Sequence, residues 1–239
     1  MAVQPWRKGV VIRIETEAPS TKRFWIQVPE VETFSFKAGQ FVTLDLPIHE
    51  KPSKRWRSYS IASWPDGSNT FELVIVKMEG GAGTTYIFNE WEENTEILFR
   101  GAQGVFVLPE PLDKDLFLIC TGTGIAPFRS MLHYIDQHNI PHKKVYLIFG
   151  TRKKENLLYY DELRGLSEKI PDVHFIPTLS REEWQGKKGY VHDVYEELIR
   201  EKQPAVFMLC GWKEMIDEAK TRIVEAGYDH KSIHRELYG

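Results

Sequence analysis

The most informative stretch of the sequence is residues 116–132, which read Leu116-Phe117-Leu118-Ile119-Cys120-Thr121-Gly122-Thr123-Gly124-Ile125-Ala126-Pro127-Phe128-Arg129-Ser130-Met131-Leu132. The apolar run at 116–120 is long enough for a buried strand and too short for a core helix. Gly122 and Gly124 then predict a tight turn. After Pro127, which suits a first helical turn, apolar residues recur at helical spacing. A strand, a glycine turn and a helix present backbone N–H groups and a helix dipole to a phosphate.

The match to the dinucleotide fingerprint G-x-G-x-x-G is partial, because Pro127 stands where the fingerprint has its third glycine. Glycine turns also join strands to helices for purely structural reasons. This stretch alone therefore leaves two interpretations open, a nucleotide site and a plain strand-to-helix turn.

Composition limits the class of protein. The chain has 239 residues, 42% hydrophobic and 27% charged, which fits one large or two small globular domains. A net charge of −3 gives no basic field, so we expect no nucleic-acid partner. Cys120 and Cys210 have neither disulfide nor zinc spacing, so we expect no metal. No stretch resembles a signal peptide or a membrane span, so we expect a cytoplasmic protein without membrane insertion.

Residues 1–109 predict an antiparallel β-barrel domain. Short runs with strand composition lie at 10–15, 23–28, 41–46, 59–62, 70–77 and 96–99, separated by turn residues. Residues 84–91 form the one helical insert, with Thr84 or Thr85 as its predicted cap. Pro109-Glu110-Pro111 reads as the linker into a second domain.

Residues 110–239 predict an α/β domain with a parallel sheet and helices on both faces. Strands are expected at 116–120, 144–149, 174–177 and 205–210, and helices at 127–137, 155–169, 191–201 and 213–225. Ligands of such sheets lie beyond the carboxyl ends of the strands. Those ends are Cys120-Thr121-Gly122, Gly150-Thr151-Arg152, residues 178–181 and Cys210-Gly211.

The strand ends favour a phosphate over a ribose hydroxyl. NAD sites place an acidic residue at the end of the second strand, whereas this chain has Thr151-Arg152-Lys153-Lys154 there. Ser180, Arg181 and Tyr190 follow the third strand. Hydroxyls, guanidinium groups and an aromatic ring suit a 2′-phosphate beside an adenine. We interpret Lys153, Lys154 and Lys187 as solvated loop charges.

Two segments of the first domain are candidate anion sites. In a strand at 55–63, Arg57 and Tyr59 would face one way and Ser58 and Ser60 the other. A phosphate-binding site and an edge strand with solvated arginines explain this segment equally well. The glycine-rich run at 80–85 is either a phosphate cradle or a flexible connection to the helix. One anion site per domain predicts two nucleotides, as a hydride relay requires.

Together these residues resemble the ferredoxin–NADP⁺ reductase family over nearly the full length. Arg57-Ser58-Tyr59-Ser60 matches the family's R-x-Y-S flavin motif, and Gly81-Ala82-Gly83-Thr84 matches its second phosphate motif. The resemblance implies that Arg57 binds the flavin pyrophosphate, Tyr59 stacks on the flavin and Ser60 lies near its N5. It places Lys77, at the end of a strand, near both cofactors.

The second half carries the same resemblance. Residues 121–127 match the nicotinamide-nucleotide motif, in which the proline is normal, and Cys210-Gly211 matches a pair whose cysteine approaches the nicotinamide. Ser180-Arg181 and Tyr190 look like the 2′-phosphate and adenine contacts. The ending at 234–239 is similar to the plant-type terminus, which implies that Tyr238 covers the flavin and Glu236 is a proton or positioning partner. Here Gly239 follows the tyrosine, a departure from that ending.

The predicted catalytic residues are Ser60, Cys210, Glu236 and Tyr238. The predicted cofactor-binding residues are Arg57, Ser58, Tyr59, Ser60, Val76, Lys77, Gly81, Gly83, Thr84, Thr85, Thr121, Gly122, Thr123, Gly124, Thr151, Arg152, Ser180, Arg181, Tyr190, Cys210, Gly211 and Tyr238.

The function implied is an FAD-dependent NADP(H) oxidoreductase that exchanges electrons between NADPH and a one-electron carrier. The sequence has no fused ferredoxin and no iron–sulfur cysteine set, so we expect a separate carrier protein, ferredoxin or flavodoxin. Lys51, Lys54 and Arg55 are candidates for docking an acidic partner. Two alternatives stay open: an NAD(P)H-dependent reductase component of an oxygenase or other redox complex, and a non-catalytic flavin- or nucleotide-binding regulatory subunit.

Overall fold

The structure is a computed structural model that describes residues 4–238. Its contacts divide the chain into two compact units. The first holds residues up to Val107 together with Arg129–Tyr134, and the second holds Leu108–Phe128 and the residues from Ile135 onward. The division predicted from the sequence at residue 109/110 stays a prediction.

The first unit is an antiparallel sheet of six strands. The strands are β1 (Trp6–Ala18), β2 (Thr21–Gln27), β3 (Phe41–Asp45), β4 (Trp56–Ser60), β5 (Thr70–Val76) and β6 (Glu96–Gln103), in the order β4-β3-β6-β1-β2-β5. Helix α1 (Pro52–Arg55) precedes β4, and α2 (Ala82–Glu90) follows β5. Just beyond β4, the N–H of Ala62 donates to the carbonyl of Glu72 in β5 over 2.8 Å. This bond joins the two edge strands and confirms the predicted antiparallel barrel.

The core of the first unit comes from alternate residues of these strands, as a curved sheet with one buried face requires. Phe24 and Ile26 of β2 and Phe71 of β5 are fully buried, and so is Phe99 of β6. The Phe71 ring packs on Phe99 with 5.2 Å between centroids. The packing of these side chains stabilises the sheet whose strands carry the candidate anion-binding segments.

The second unit is a parallel sheet of six strands. The strands are β7 (Asp115–Thr121), β8 (Val145–Thr151), β9 (Val173–Leu179), β10 (Lys187–Lys188), β11 (Ala205–Trp212) and β12 (Ile233–Tyr238), in the order β10-β9-β8-β7-β11-β12. The helices are α3 (Ala126–His138), α4 (Tyr160–Lys169), α5 (Val191–Leu198) and α6 (Lys213–Glu225). The predicted parallel α/β domain is confirmed.

Both faces of this sheet are buried. Phe117 and Phe207 belong to a core cluster that also contains Tyr195 of α5 and Ile216 of α6. The alternate residues Leu118, Leu147 and Met208 are buried as well. Because both faces are covered there, the central strands β7, β8 and β11 are nearly continuous apolar runs rather than alternating ones.

Two local predictions were wrong, and some elements were missed. Helix α4 starts at Tyr160 rather than at 155, because residues 154–156 form a 3₁₀ turn and Tyr159 adopts a left-handed conformation at φ 53°. Helix α2 starts at Ala82, with Gly81 at its N-cap rather than Thr84 or Thr85. Strand β12 was not predicted at all.

Along residues 4–238, none of the helices has the length and apolar character needed to cross a membrane.

Candidate functional site

The first candidate anion-binding segment of the first unit is built on Arg57 and Gly83. A Cβ placed on Gly83 would lie 3.1 Å from Cγ and 3.2 Å from Nε of Arg57. The absence of a side chain at Gly83 therefore lets the arginine side chain lie close against the first turn of α2. Arg57 Nη1 donates to the carbonyls of Lys54 and Trp56 over 3.0 and 2.8 Å. These two bonds fix the guanidinium group beside the start of a helix, which is an arrangement suited to a phosphate.

The start of α2 is shaped by the glycine-rich loop. Thr84 Oγ1 accepts from the N–H of Met78 over 3.0 Å and donates to the carbonyl of Gly81 over 3.2 Å. The Thr84 hydroxyl therefore orders the loop rather than capping the helix. Thr85, whose N–H donates to Gly81 O over 2.9 Å, has an exposed side chain.

Tyr59 and Ser60 lie at the end of β4. Burial raises the pKa of Tyr59 to about 12, although the Arg57 charge opposes the shift. The phenol is therefore neutral at physiological pH, and it packs against the core of the barrel. Ser60 is only 4% exposed. A half-buried ring beside a buried hydroxyl is compatible with a planar ligand at this strand end.

Ser58 points to the other face of β4. Its hydroxyl is 3.1 Å from Oγ1 of Thr43, which also accepts from Gln103 Nε2 over 2.8 Å. The structure therefore does not bring Ser58 to the Arg57–Gly83 pair, and its predicted cofactor contact stays a prediction.

Val76 and Lys77 lie at the end of β5. Val76 is its last residue, and the N–H of Lys77 donates to Ser20 O over 2.7 Å. The Lys77 ammonium lies 5.9 Å from the ring centroid of Phe88 in α2.

In the second unit, the ends of β7 and β11 approach very closely. A Cβ on Gly124 would overlap the carbonyl oxygen of Cys210, and a Cβ on Gly211 would lie 2.5 Å from Thr121 Oγ1. Gly211 also has φ +142°, a backbone angle that residues with a side chain rarely adopt. The turn at Gly122–Ile125 and the end of β11 can therefore meet only because both positions are glycine.

Cys210 lies at this junction and is fully buried. Burial raises the pKa of its thiol well above the ordinary value, and the charge of Glu236 raises it further, while a hydrogen bond with Tyr238 opposes both. The structure thus brings together three of the predicted catalytic residues: the neutral thiol of Cys210, Glu236 and Tyr238. Cys120, the register partner of Cys210 on β7, is also fully buried, and burial alone raises its pKa.

The ends of β8 and β9 bring together four predicted residues. The N–H of Ser180 donates to Thr151 O over 3.0 Å, and the N–H of Arg181 donates to Arg152 O over 3.0 Å. Both arginines are exposed. Within residues 4–238, neither guanidinium group is paired with a carboxylate.

Tyr190 lies beside the end of β9. The preceding residue, Gly189, donates its N–H to Leu179 O over 2.9 Å, and the N–H of Tyr190 donates to Asp193 Oδ2 over 3.1 Å at the start of α5. The Tyr190 side chain is 68% exposed, so its ring is available to a planar ligand.

Two lysines near this edge, Lys153 and Lys187, are paired with carboxylates, in agreement with their interpretation as loop charges. Lys153 lies 3.6 Å from Glu155, and Lys187 lies 2.7 Å from Glu197. Glu182, which the sequence analysis missed, accepts from the N–H of Lys154 over 2.8 Å. This bond ties the loop after β8 to the loop after β9.

Trp212 was also missed. It ends β11 directly after Gly211 and is 46% exposed. Its indole Nε1 lies 3.9 Å from the position of a Cβ on Gly122. A bulky aromatic residue following the Cys-Gly pair at a strand end was the signal that could have identified it.

Comparisons with known proteins agree with the two folds. Residues 8–108 match the oxidoreductase FAD-binding domain, and residues 118–221 match the oxidoreductase NAD-binding domain. The two matches and the two units define a flavoprotein oxidoreductase that uses a nicotinamide nucleotide. The chain belongs to the ferredoxin–NADP⁺ reductase family.

Relatives fall into two groups. Ferredoxin–NADP reductase B of Sorangium cellulosum is 32% identical over 95% of this chain and 96% of its own length. The anthranilate 1,2-dioxygenase electron transfer component of Acinetobacter baylyi is 28% identical, over 96% of this chain but 66% of its own length. A solved ferredoxin NADP⁺ reductase from Neisseria gonorrhoeae with bound FAD and NADP has a TM-score of 0.82 at 28% identity, covering 97% of this chain and 98% of that one.

The residues of the first unit fit an FAD. The space that a Cβ on Gly83 would fill adjoins a fixed guanidinium group and the start of α2, which suits a pyrophosphate. The neutral Tyr59 ring supplies a stacking surface at the end of the same strand.

Proposed function

We propose that this protein oxidises NADPH and delivers the electrons singly to a separate carrier protein, ferredoxin or flavodoxin. When bound, FAD supplies the conversion between hydride and single-electron transfer. The observation that carries the preference for NADPH is the adjacency of Arg152 and Arg181 at the ends of β8 and β9.

The proposed flavin contacts follow from the first unit. Arg57 and the first turn of α2 hold the pyrophosphate, with Gly83 leaving room for it and Gly81 and Thr84 ordering the loop. Tyr59 stacks on the flavin and Ser60 lies near its reactive nitrogen. The remaining proposed contacts of this unit are Ser58, Val76, Lys77 and Thr85.

The proposed nicotinamide-nucleotide contacts follow from the second unit. The turn formed by Thr121, Gly122, Thr123 and Gly124 takes the pyrophosphate, and Gly211 allows that turn to pack on β11. Cys210 supplies an uncharged, buried surface beside the reacting carbon. Glu236 is proposed as a proton or positioning partner, and Tyr238 as the residue that moves aside for nicotinamide.

The 2′-phosphate contacts are proposed to be Arg152, Ser180 and Arg181, with Thr151 positioning Ser180 and with Tyr190 against the adenine. Each charge-assisted hydrogen bond contributes about 1.5–3 kcal/mol, so two distinguish a phosphate from a hydroxyl by roughly 10²–10⁴.

The test is anaerobic reduction of the FAD-loaded protein, following the visible flavin bands after adding NADPH or NADH. We expect fast bleaching by NADPH and slow bleaching by NADH. Arg181→Gln should raise the KM for NADPH at least tenfold and leave that for NADH unchanged. Arg200→Gln, at an exposed arginine after α5, is the matched control. Equal rates with both nucleotides in the unaltered protein would refute the 2′-phosphate assignment.

Carrier docking is proposed at Lys51 and Lys54. Arg55 was predicted with them, but its guanidinium group makes two 2.6 Å bonds to the Asp45 carboxylate. Its charge is therefore already paired. Lys51→Glu with Lys54→Glu should slow ferredoxin reduction at low salt without changing the rate of flavin bleaching by NADPH. An unchanged rate of ferredoxin reduction would contradict this docking site.

The second candidate function is a reductase component of an oxygenase. It is favoured by relatives such as the anthranilate 1,2-dioxygenase electron transfer component and the glycine betaine monooxygenase reductase subunit of Pseudomonas aeruginosa, both 28% identical. The chain spans 66% and 67% of those two proteins. Flavin reoxidation by an oxygenase component, but not by ferredoxin or flavodoxin, would support this function instead.

A further inference from the structure

Trp212 is a large aromatic residue that the proposed reaction has not used. It is the last residue of β11 and the N-cap of α6, so its backbone is held by two regular elements. Its side chain is nevertheless 46% exposed at the carboxyl edge of the sheet. A half-exposed tryptophan at a ligand-binding edge contributes less to the core than a buried one and is available to a ligand.

The backbone at Trp212 is fixed against the nucleotide turn. Its N–H points to Thr121 Oγ1 over 3.5 Å, and Gly211 and Gly124 allow the two segments to touch. The close approach holds the backbone of Trp212 against the turn. The point from which the indole projects is therefore set by the same glycines that shape the turn.

The indole nitrogen lies at the opening of the turn. Nε1 is 3.9 Å from the position of a Cβ on Gly122, the first residue of the 3₁₀ segment that leads into α3. The indole N–H is only a hydrogen-bond donor, so it can bind an anion but not a cation. The pyrophosphate of a dinucleotide occupies this place relative to a strand–turn–helix unit.

We propose that Trp212 Nε1–H donates a hydrogen bond to the pyrophosphate of the nicotinamide dinucleotide. This assignment rests on the proposed function, because it takes the turn at 121–124 to be the nucleotide turn. It adds an indole donor to the backbone N–H groups and threonine hydroxyls of the turn, and it makes Trp212 a nucleotide-binding residue rather than a packing one.

The test compares three ligands by titration calorimetry with the FAD-loaded protein. NADP⁺ carries the pyrophosphate and the nicotinamide, 2′-phospho-ADP-ribose carries only the pyrophosphate, and 2′-AMP carries neither. Trp212→Phe keeps an aromatic ring and removes the donor. We expect this substitution to lower the affinity for NADP⁺ and 2′-phospho-ADP-ribose about tenfold and to leave the affinity for 2′-AMP unchanged. Trp25→Phe, at a partly buried tryptophan of the first unit, should change none of the three.

Three results would overturn the assignment. A loss of affinity confined to NADP⁺ would place the indole against the nicotinamide instead. Tighter binding of all three ligands would make Trp212 a cover over the turn, and unchanged binding would remove it from the site. Trp212→His, which keeps a ring donor, should recover part of the lost affinity if the variant is properly folded.

Failure of the proposed function gives a different result. If the unaltered protein prefers ADP-ribose to 2′-phospho-ADP-ribose, the NADPH preference fails. The role of Trp212 is then decided by the same comparison with NAD⁺, ADP-ribose and adenosine. In Trp212→Phe, the affinity for the two ligands that contain the pyrophosphate should again fall about tenfold.

Discussion

Cys210 and Glu236 are register partners across the parallel strands β11 and β12. The carboxylate raises the pKa of a thiol that burial has already raised, and the Tyr238 hydrogen bond acts in the opposite direction. Neutral Cys210 is therefore neither a nucleophile nor a base at physiological pH.

This pairing predicts the direction of change in thiol reactivity. In a Cys120→Ala background, Glu236→Gln should speed the reaction of Cys210 with a thiol reagent at pH 8, because it removes a charge that disfavours the thiolate. Tyr238→Phe should slow it, because it removes a hydrogen bond that favours the thiolate. Stopped-flow labelling measures both rates. A slower reaction in Glu236→Gln would contradict the proposed electrostatics.

Arg57 should control flavin retention. Arg57→Gln removes the guanidinium charge beside the start of α2, and we expect the Kd for FAD to rise at least tenfold. Fluorescence titration of the apoprotein measures this change. Arg13→Gln is the control, since it removes an exposed ion pair with Glu15 on β1 and a guanidinium contact with the Trp25 ring on β2. Equal FAD affinity in the Arg57 variant and the control would remove Arg57 from the cradle.

Gly124 and Gly165 should respond oppositely to alanine. A Cβ on Gly124 would overlap the Cys210 carbonyl, so Gly124→Ala should destabilise the protein by about 1–3 kcal/mol. Gly165 lies within α4 with no atom within 4 Å of its Cβ position, so Gly165→Ala should stabilise it by about 0.5–1 kcal/mol. Thermal unfolding should show a lower midpoint for the first variant and a higher midpoint for the second. A neutral Gly124→Ala would mean that β11 can shift away from the turn.

His192 should make the stability of the second unit depend on pH. Burial lowers its pKa, and the Arg222 charge acts in the same direction, while Glu218, Glu196 and Asp193 oppose them. The unfolded chain therefore binds a proton more readily than the folded one. The stabilisation by neutral His192 is complete above pH about 6.5 and is lost as pH falls through the lowered folded pKa.

His192→Gln should reduce this loss of stability between pH 7.5 and 5.5, as measured by urea unfolding. His230→Gln, at an exposed histidine of the same unit, is the matched control and should retain the full loss. A His192→Gln protein with the same pH dependence as the control would show that other groups cause it.

Glu72 should be the most costly carboxylate to neutralise in the first unit. It is 2% exposed and bonds to Arg23 Nε over 2.7 Å and Arg129 Nη1 over 3.0 Å. Glu72→Gln leaves the buried Arg129 and the partly buried Arg23 with a weaker partner, so we expect a loss of about 3–5 kcal/mol in denaturant unfolding. Lys8→Ala, which breaks an exposed pair with Glu96, should cost less than about 1 kcal/mol.

Local patterns were sufficient for most of the fold. The run from Leu116 to Leu132 predicted β7, its turn and α3, because apolar spacing and glycine positions are local properties. The break before α4 was missed because the sequence gives little sign that Tyr159 adopts a left-handed conformation. Strand β12 was missed because only its pairing with β11 stabilises so short a polar segment.

The candidate site shows the same limit. Arg57, Ser180 and Arg181 were identified from motifs and strand ends, which the order of residues reveals. Trp212 was missed although its place directly after the Cys-Gly pair was a local signal. Glu182 was missed because its position depends on a contact between segments far apart in the sequence. No local pattern indicates that the Glu182 carboxylate meets the N–H of Lys154.

The middle of α3 has a consequence for how this protein can be made and divided. Arg129–Tyr134 belong to the first unit although they follow its strands by more than twenty residues, as the two unit boundaries show. On the ribosome, the barrel strands emerge well before Arg129, so Glu72 at first lacks its bond to this buried guanidinium group. A fragment ending at Val107 would keep that incomplete ion pair permanently. Residues 4–107 alone should therefore be a less stable barrel than the same residues within the whole chain.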